Sequence, residues 1–389
     1  MTAFSAFDHA MMARALALAE RGRCITTPNP FVGCVIVKRG RIIGEGFTQK
    51  GGRPHAEAMA LAECTRLLHG PEGATVYSTL EPCVPHARSR GPACANLLIA
   101  AKVARVVSAL HDPFDGVDGA GHESLRAAGI QVDIGLMEKE AAYQLKAFLA
   151  RVTRCRPWVQ LKVAATLDGK TALANGESKW ITSADARRDV HRLRREACAV
   201  MTGIGTLLAD DPELSVRDVE CERQPLRILL DSRLDVPDGA KILRGGNVLI
   251  ATAADKPDRE RTLIAMSAEV IRVPVEAVKG KVDLEKMMQL FAARGLNHIM
   301  VETGAKLNAS LLSAGVVDEI VAYIAPSIFG DGARGLFALP EMKSLDERVQ
   351  LKITDVRHVG IDLRVTACVS RPFPASLKGF PAVTAGTQV

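Results

Sequence analysis

The chain has 389 residues, of which 48% are hydrophobic and 24% are charged, and its formal net charge is +6. This composition is typical of globular proteins and excludes a wholly disordered chain, a collagen repeat and a small disulfide scaffold. At about 100 to 200 residues per domain, the length predicts two domains. Aromatic residues make up only 4%, too few to stack bases along a nucleic-acid strand, and the mild basic excess favours small anionic substrates.

The nine cysteines are scattered along the chain and lack the dense spacing of a secreted disulfide protein, so we expect a reducing compartment. The charged residues Asp8, Arg14 and Glu20 border or interrupt the apolar run 10–19, which predicts an amphipathic first helix and no targeting signal. No stretch reaches the roughly 20 apolar residues that cross a bilayer. We therefore predict a soluble, cytoplasmic protein without a membrane partner.

Helical and strand patterns alternate up to about Ala150. An Ala- and Leu-rich helix beginning at His9 precedes a hairpin, in which strands 33–38 and 41–46 are joined by a turn. Four further elements follow in the order helix, strand, helix, strand, at 55–68, 74–79, 94–101 and 103–109. The alternation predicts a layered α/β sheet.

The basic segment 151–157 interrupts the periodicity and ends in Pro157, so we place a domain boundary there. The predicted domains are residues 1–150 and 157–371. In the second domain, helices at 183–197 and 284–294 alternate with short apolar strands at 159–165, 199–201, 226–231, 248–252, 270–273, 298–302 and 319–325. This pattern predicts a mostly parallel sheet covered on both faces. Residues 372–389 are rich in Pro, Gly, Ala and Thr and are predicted to be a disordered tail.

One histidine and two cysteines form a candidate zinc site. His55 begins a predicted helix, and Cys83 and Cys94 follow near probable helix starts, where lowered thiol pKa values would prepare both for a metal. Three such ligands leave a fourth tetrahedral position open to water, as in catalytic rather than structural zinc. Glu57, two residues beyond His55, can reach that water without being a ligand and carry its proton to a leaving amine.

A lone His-x-Glu pair is common by chance, and buried cysteines usually pack as small hydrophobic residues. Its combination with Thr79-Leu80-Glu81-Pro82-Cys83 at a strand end is much more specific and is the zinc-deaminase signature. The other histidines lack metal-ligand spacing and are interpreted as surface or packing residues: His69, His86, His111, His122, His191, His298 and His358. The other seven cysteines are interpreted as structural.

The spacing from Cys83 to Cys94 is wider than the Cys-x-x-Cys pair of nucleic-acid deaminases. The loop between them contains His86, Arg88 and Arg90, which could frame an anionic group at the mouth of the site or simply be solvated. The sequence alone leaves both interpretations open. In the rigid turn 27–33, the amide of Asn29 could recognise a pyrimidine edge.

In the second domain, segment 162–170 leaves a strand and segment 177–183 ends at a helix cap, Ser183 or Thr182. Such places also suit phosphate, and both interpretations stay open. The arginines of the following helix are expected to form a solvated face, with Arg194 directed inward toward an anion. The loops 203–212 and 301–308 could hold a cofactor phosphate or only cap helices, since neither is a complete dinucleotide fingerprint.

Residues 27–33, His55-Ala56-Glu57 and Thr79 to Cys83 together resemble the deaminase half of the bifunctional riboflavin-biosynthesis deaminase/reductase family. Six later segments are similar, in order, to its reductase half: 166–169, 180–182, 208–212, 230–232, 302–304 and 325–326. The resemblance implies an α/β chain with an N-terminal cytidine-deaminase-like three-layer domain and a C-terminal dihydrofolate-reductase-like domain.

The resemblance also implies the reactions. A zinc-dependent deaminase, residues 1–150, would remove an amine from a diaminopyrimidine that carries a ribosylamino 5′-phosphate, with Glu57 as the proton shuttle and Asn29 in contact with substrate. A reductase, residues 157–371, would then reduce the ribosyl group to ribityl with NADPH. Hydride would come from the cofactor, so the protein only needs to orient the opened ribose.

By the same resemblance, two residue sets form the reductase site. NADPH would contact Ala164, Trp180, Thr206, Asp210, Ser232 and Gly304. The sugar phosphate would contact Ser178, Arg194, Leu214, Arg217 and Glu302. We expect no nucleic-acid partner, and we expect the chain to form a homo-oligomer.

The chain departs from the family between the zinc cysteines, where it lacks the usual Gly-Arg-Thr-Pro-Pro run, and before His55, where a family histidine is missing and Thr48 or Lys50 is expected to contact phosphate. Two rival functions are a nucleic-acid deaminase and a zinc-stabilised binding module. The first would have a tight cysteine pair and a base-binding surface. The second would not need Glu57 beside an open coordination position.

Overall fold

The computed structural model describes residues 4–86, 91–275 and 282–370. The predicted disordered tail, Arg88 and Arg90 lie outside these residues. Within the described part of the chain, no helix is both long enough and apolar enough to span a membrane.

The first half of the chain builds one five-stranded sheet with helices on both sides. Its strands are β1 Gly33–Lys38, β2 Arg41–Phe47, β3 Thr75–Ser78, β4 Arg105–Ser108 and β5 Gln131–Ile134. Its helices are α1 Ala6–Ala19, α2 Ala56–Arg66, α3 Cys94–Ala100, α4 Ala120–Ala127, α5 Glu138–Gln144 and α6 Lys146–Arg154. The strand order is β2-β1-β3-β4-β5, antiparallel at β2-β1-β3 and parallel at β3-β4-β5.

Glycines in β1 and β2 allow two helices to approach opposite faces of this sheet. A Cβ on Gly33 would overlap the carbonyl oxygen of Ala15 in α1, and a Cβ on Gly46 would overlap that of Ala56 in α2. Gly46 lies opposite Cys34, the neighbour of Gly33, so the two glycines face opposite sides of the pleat. Helix α1 therefore covers one face and α2 the other, which confirms the predicted three-layer arrangement.

The second half builds a nine-stranded sheet. Its strands are β6 Trp158–Thr166, β8 Ala199–Gly203, β9 Leu226–Leu230, β10 Val248–Thr252, β11 Ala268–Arg272, β12 His298–Val301, β13 Glu319–Ala325, β15 Leu351–Val359 and β16 Asp362–Val369. A separate pair consists of β7 Lys170–Ala172 and β14 Arg334–Gly335. The helices are α7 Ala184–Glu196, α8 Ile204–Asp210, α9 Pro257–Ala265, α10 Leu284–Ala293 and α11 Ala305–Ser313.

The strand order of the large sheet is β11-β10-β9-β8-β12-β6-β13-β16-β15. All pairs from β11 to β13 are parallel, which confirms the predicted mostly parallel sheet, and the last two pairs are antiparallel. Neighbouring residues of one strand enter different cores: Met201 packs with α10, whereas Val200 packs with α7. Both faces are thus covered, as buried parallel strands require.

The basic segment at the predicted boundary is helical up to Arg154, and residues 155–157 separate α6 from β6. Arg151 and Arg154 belong to the end of α6, and the arginine charges find partners in the second half. Arg154 and Arg156 form ion pairs with Asp318 at 3.1 and 2.6 Å, and Arg151 donates to the side-chain oxygen of Asn297 at 2.5 Å. The charge run therefore joins the two halves of the chain.

Replacement of Gly46 by alanine should destabilise the first half, because the new methyl group would overlap the backbone of α2. We expect Gly46→Ala to lower the free energy of unfolding by about 1 to 3 kcal/mol, the usual cost of overpacking. The matched control is Gly205→Ala, where a Cβ meets open space. Urea titrations followed by circular dichroism measure both, and equal stability of the two variants would contradict the assigned close contact.

Candidate active sites

The three predicted zinc ligands come together from separate elements. His55 is the N-cap residue of α2, Cys94 is the first residue of α3, and Cys83 lies in the irregular segment after β3. The Nδ1 atom of His55 is 3.3 Å from the Sγ atom of Cys94 and 3.4 Å from that of Cys83. All three ligand atoms lie within 4.8 Å of one another.

This donor set fits a zinc ion. One imidazole nitrogen and two thiolate sulfurs are ligands that zinc prefers, and a tetrahedral ion with bonds of about 2.0 to 2.3 Å separates its ligand atoms by about 3.5 Å. The two measured His55 distances agree with that separation. Three protein ligands leave one position for a reactant, as in catalytic zinc sites.

Hydrogen bonds between the ligands are the main influence on the pKa values of the two thiols. The Cys94 thiol and His55 lower the pKa of Cys83 to about 4, although Cys83 does not begin a helix. The hydrogen bond to Cys83, together with burial, raises the pKa of Cys94. The backbone N–H of Cys94, the first residue of α3, also donates to the Cys83 sulfur at 3.4 Å, so a helix N-terminus contributes to the lowered pKa of Cys83. The predicted lowering of the Cys94 pKa is wrong, because that pKa is raised. Metal binding displaces the remaining proton, because zinc ligates the thiolate.

Glu57 lies in the first turn of α2 beside the ligand cluster and is only 3% exposed. Its Oε1 atom accepts a hydrogen bond from the hydroxyl of Ser78, at the end of β3, at 3.2 Å. Burial raises the pKa of Glu57, so the carboxyl group holds a proton more readily than an exposed glutamate does. A carboxyl group of this kind, close to but separate from the ligands, is suited to proton transfer.

Glu81, in the same quoted motif, has a positioning role that the sequence analysis missed. Its carboxylate accepts hydrogen bonds from four backbone N–H groups, those of Asp112, Gly119, Gly121 and His122, at 2.9 to 3.2 Å. These bonds tie the segment that carries Cys83 to the first turn of α4 and to the residues before it. A glutamate directly before the Pro-Cys pair was the signal in the sequence that could have indicated this role.

Asn29 follows the cis peptide Thr27–Pro28 in a tight turn. Its side chain lies against Gly52, where a Cβ would overlap the amide group, and Gly52 is three residues from His55. Asn29 also lines a cavity of about 290 Å³ between the two halves of the chain.

The structure gives the surroundings of Thr48, Lys50 and His86, the residues that were singled out in loops near the zinc site. Thr48 is 2% exposed, and its hydroxyl accepts a hydrogen bond from the backbone of Val32 at 3.0 Å. Of the two residues expected to contact phosphate, Thr48 is thus enclosed and Lys50 is exposed, which favours Lys50. The ring of His86 packs edge-on against Phe114, with centroids 5.4 Å apart.

Most of the predicted cofactor residues lie at one edge of the large sheet. Strands β9, β8, β12 and β6 are parallel neighbours, so the segments that leave their carboxyl ends are also neighbours. These segments carry Ser232, Thr206 and Gly304, and Ala164 lies near the end of β6. A Cβ on Gly304 would be 3.8 Å from the hydroxyl oxygen of Thr206. Ligands of open α/β sheets bind at this edge.

Arg194 points inward, as predicted, but toward a carboxylate. Its guanidinium donates to both oxygens of Glu302 at 2.5 and 3.0 Å. Despite burial, Arg194 lowers the pKa of Glu302 to about 2. Lys162 lies close to the same pair, and burial lowers its pKa. The sequence analysis did not assign Lys162 a role, although a lysine inside an apolar strand was a usable signal.

The other residues predicted to contact the sugar phosphate differ in their exposure and in their contacts. Arg194 donates to the backbone oxygen of Ser215 at 2.9 Å, and Arg217 donates to the Ser215 hydroxyl at 3.1 Å, so both arginines border one residue. Leu214 is 1% exposed and packs in the core, so only its backbone is available to a ligand. Ser178 is half-buried in the segment before α7.

Two predicted cofactor residues, Trp180 and Asp210, contact charged neighbours at the surface. Trp180 is exposed, and the guanidinium of Arg187 lies 4.4 Å above its ring. Asp210 forms an ion pair with Lys179, the residue before Trp180, at 3.2 Å. This pair brings the end of α8 next to the segment that carries Ser178 and Trp180.

Two family models match the chain. Residues 5–110 match the cytidine and deoxycytidylate deaminase zinc-binding region, and residues 157–365 match the RibD C-terminal domain. The two matches cover the two groups of residues described above. The first match ends before α4, and the second begins one residue before β6.

Full-length relatives resemble the chain over nearly its whole length. The riboflavin biosynthesis protein RibD of Escherichia coli is 44% identical over 373 residues, which are 92% of this chain and 98% of that protein. The RibD of Haemophilus influenzae is 40% identical over 94% of this chain and 98% of that protein. The structure of Acinetobacter baumannii RibD, form 1, superposes with a TM-score of 0.85 at 37% identity, covering 94% of this chain and 99% of that chain.

A structure from Thermotoga maritima superposes with a TM-score of 0.81 at 31% identity, covering 94% of this chain and 99% of that chain. It is described as a diaminohydroxyphosphoribosylaminopyrimidine deaminase/5-amino-6-(5-phosphoribosylamino)uracil reductase. The likeness extends over both halves, so the fold agrees with the relatives in the deaminase-like and the reductase-like parts.

Removal of the Glu302 charge should leave the buried Arg194 without its carboxylate partner. We expect Glu302→Gln to lower the free energy of unfolding at neutral pH by about 3 to 5 kcal/mol. Because Arg194 lowers the pKa of Glu302 from 4.5 to about 2, the wild-type advantage should be complete above about pH 5 and shrink as the pH falls toward 2. Denaturant titrations at several pH values measure the difference.

The matched control is Glu213→Gln, because the Glu213–Arg217 ion pair is exposed and such pairs contribute about 0 to 1 kcal/mol. A Glu302→Gln effect no larger than this control would contradict a buried, stabilising pair.

Proposed function

Because the chain belongs to the RibD family of riboflavin-biosynthesis proteins, we propose that residues 1–150 carry out its deamination step and residues 157–371 its reduction step. The chain acts in riboflavin biosynthesis by deamination followed by reduction. The substrate of the first step is 2,5-diamino-6-ribosylamino-pyrimidinone 5′-phosphate. The observation that carries the assignment is the separation of two chemically different clusters, one around His55 and Glu57 and one around Arg194 and Glu302.

In the deamination step, water replaces the ring amino group and ammonia leaves. Zinc, held by His55, Cys83 and Cys94, would acidify the attacking water. Glu57 takes the proton of that water and delivers it to the leaving amine. The Ser78 hydroxyl holds the Glu57 carboxyl group in place, and burial raises the pKa of Glu57, which favours the protonated form needed for the second transfer.

Asn29 positions the pyrimidine. Its amide offers both a donor and an acceptor, which suits the edge of a pyrimidine ring. The contact with Gly52 fixes the amide near the chain segment that leads to His55. Substrate orientation of this kind lowers the barrier because the ring carbon is held close to the attacking group.

In the reduction step, NADPH supplies the hydride, and the protein holds the cofactor and the opened ribose. The NADPH-binding residues are Ala164, Trp180, Thr206, Asp210, Ser232 and Gly304. Gly304 is the N-cap of α11 and has no side chain that caps the helix, so the first backbone N–H groups of α11 are available to a cofactor phosphate. Trp180 offers an exposed ring for stacking.

The substrate-binding residues of the reductase are Ser178, Arg194, Leu214, Arg217 and Glu302. Arg217 and Ser178 contact the phosphate, and Leu214 contributes its backbone. Lys162, which lies beside the buried Arg194–Glu302 pair, supplies the proton that accompanies the hydride, and burial lowers its pKa. The Arg194–Glu302 pair keeps Lys162 in a fixed electrostatic environment.

The chain also forms a homo-oligomer. The β15–β16 hairpin exposes an apolar strip that includes Ile353, Val356 and Ile361 at 55 to 70% exposure. Monomeric proteins rarely leave a contiguous apolar surface of this kind uncovered. A second copy of the chain is the partner that best fits an exposed sheet edge, since edge strands present unpaired backbone groups.

Glu57→Gln should separate the two activities. Loss of the proton shuttle is expected to reduce ammonia release from the diaminopyrimidine substrate by about 10²- to 10⁴-fold. Reduction of the deaminated compound, followed by NADPH absorbance, should be unchanged, and the zinc content should remain at the wild-type level. Loss of both activities in a folded, zinc-loaded variant would sink the assignment of separate sites.

Lys162→Met should give the opposite result. Methionine keeps the length and the apolar part of the side chain but cannot donate a proton, so kcat for NADPH oxidation should fall by about 10²-fold or more, with little change in KM. Deamination should be retained. The control is Lys139→Met on the exposed face of α5. Wild-type kcat in Lys162→Met would refute the proton-donor role.

A further inference from the structure

A second group of potential metal ligands lies outside the zinc site. Glu81, His111 and His122 come from three separate segments, and their ligand atoms all lie within 4.8 Å of one another. The Oε2 atom of Glu81 is 3.3 Å from Nδ1 of His111 and 3.5 Å from Nδ1 of His122. The spacing of these residues along the chain gives no sign of the cluster, so the interpretation of both histidines as ordinary surface or packing residues missed it.

The outer nitrogen of each ring is already engaged. Nε2 of His122 contacts the hydroxyl of Ser108 at 3.0 Å, and Nε2 of His111 contacts the carboxylate of Asp118 at 2.9 Å. Each ring is thereby oriented with its Nδ1 atom toward Glu81. Metal-ligating histidines are held in this way by a hydroxyl, carboxylate or carbonyl at the other nitrogen.

The inner nitrogen of His122 is the unexplained atom. The ring is 2% exposed, and among the described residues no group forms a hydrogen bond with its Nδ1 atom. A buried polar atom without a partner costs about 1 to 3 kcal/mol. A ligand between Nδ1 and Glu81 would remove that cost.

Glu81 is rigidly held for such a contact. Its two oxygens accept four backbone hydrogen bonds, and ligating carboxylates are commonly hydrogen-bonded by their surroundings. Each oxygen accepts two of these bonds, so a cation at Oε2 would share that atom with the N–H groups of Asp112 and Gly119.

We propose that Glu81, His111 and His122 bind a second divalent transition-metal ion, with Zn²⁺ as the best fit. Two imidazoles and one carboxylate suit zinc and its first-row neighbours. Bonds of about 2.1 Å in tetrahedral geometry separate ligand atoms by about 3.4 Å, in agreement with the two measured distances to Glu81. His111 is 46% exposed, so the ion enters from solvent and exchanges more readily than one held by two thiolates. It would connect the first turn of α4 and the region before it to the segment that carries Cys83.

The test is the zinc stoichiometry of the full chain after dialysis against buffered micromolar Zn²⁺, measured by elemental analysis. Wild type should bind two ions per chain and His111→Ala one. The matched control is His69→Ala, another exposed histidine, which should bind two. Cys83→Ser should also bind one, because it disrupts the other site.

Co²⁺ distinguishes which ion is lost. His111→Ala should retain the intense thiolate-to-cobalt absorption of the cysteine site and lose the weaker bands of the second ion, whereas Cys83→Ser should show the reverse. The proposal is overturned if wild type binds a single ion, or if folded His111→Ala still binds two. Ammonia release by His111→Ala, measured separately, shows whether the deaminase is active when the second ion is absent.

Discussion

Close contact between α2 and the first sheet determines the geometry of the deaminase centre. Helix α2 carries His55 at its N-cap and Glu57 in its first turn, and it reaches the sheet because Gly46 has no side chain. A shift of α2 away from the sheet would move His55 and Glu57 together, away from the cysteines and Ser78. The backbone contact thus fixes a distance on which both metal binding and proton transfer depend.

In the reductase half, the central charged groups are buried and therefore need partners of opposite charge. Glu302 leaves the carboxyl end of β12, Arg194 comes from α7, and the two form a doubly hydrogen-bonded pair. Neither charge is stable there alone, since an unpaired buried ion is strongly unfavourable. The pair therefore holds α7 against the sheet edge while keeping a fixed field around Lys162.

The sequence predicted the elements whose patterns are regular and the site whose ligands follow a known spacing. Strands β10 and β13 are examples of such elements, and the clustering of His55, Cys83 and Cys94 is the example of such a site. The β15–β16 hairpin was not predicted, because a register shift between Ile353 and Asp355 breaks the alternation and much of the hairpin is exposed. Contacts between distant segments, such as Glu81 with His111, depend on topology and leave no periodic trace along the chain.

The pairing of Arg194 with Glu302 also changes how the positive charge of the protein is interpreted. A guanidinium whose donors already meet a carboxylate adds little attraction for a phosphate, since the two charges largely cancel at a distance. The phosphate must then be recognised by a cation that keeps free donors at the surface. Arg217 satisfies this requirement better than Arg194, because its pair with Glu213 is exposed and weak and because it borders the same residue, Ser215. In the proposed reductase site, the inner arginine would therefore hold Glu302 in place, and the outer one would bind the phosphate.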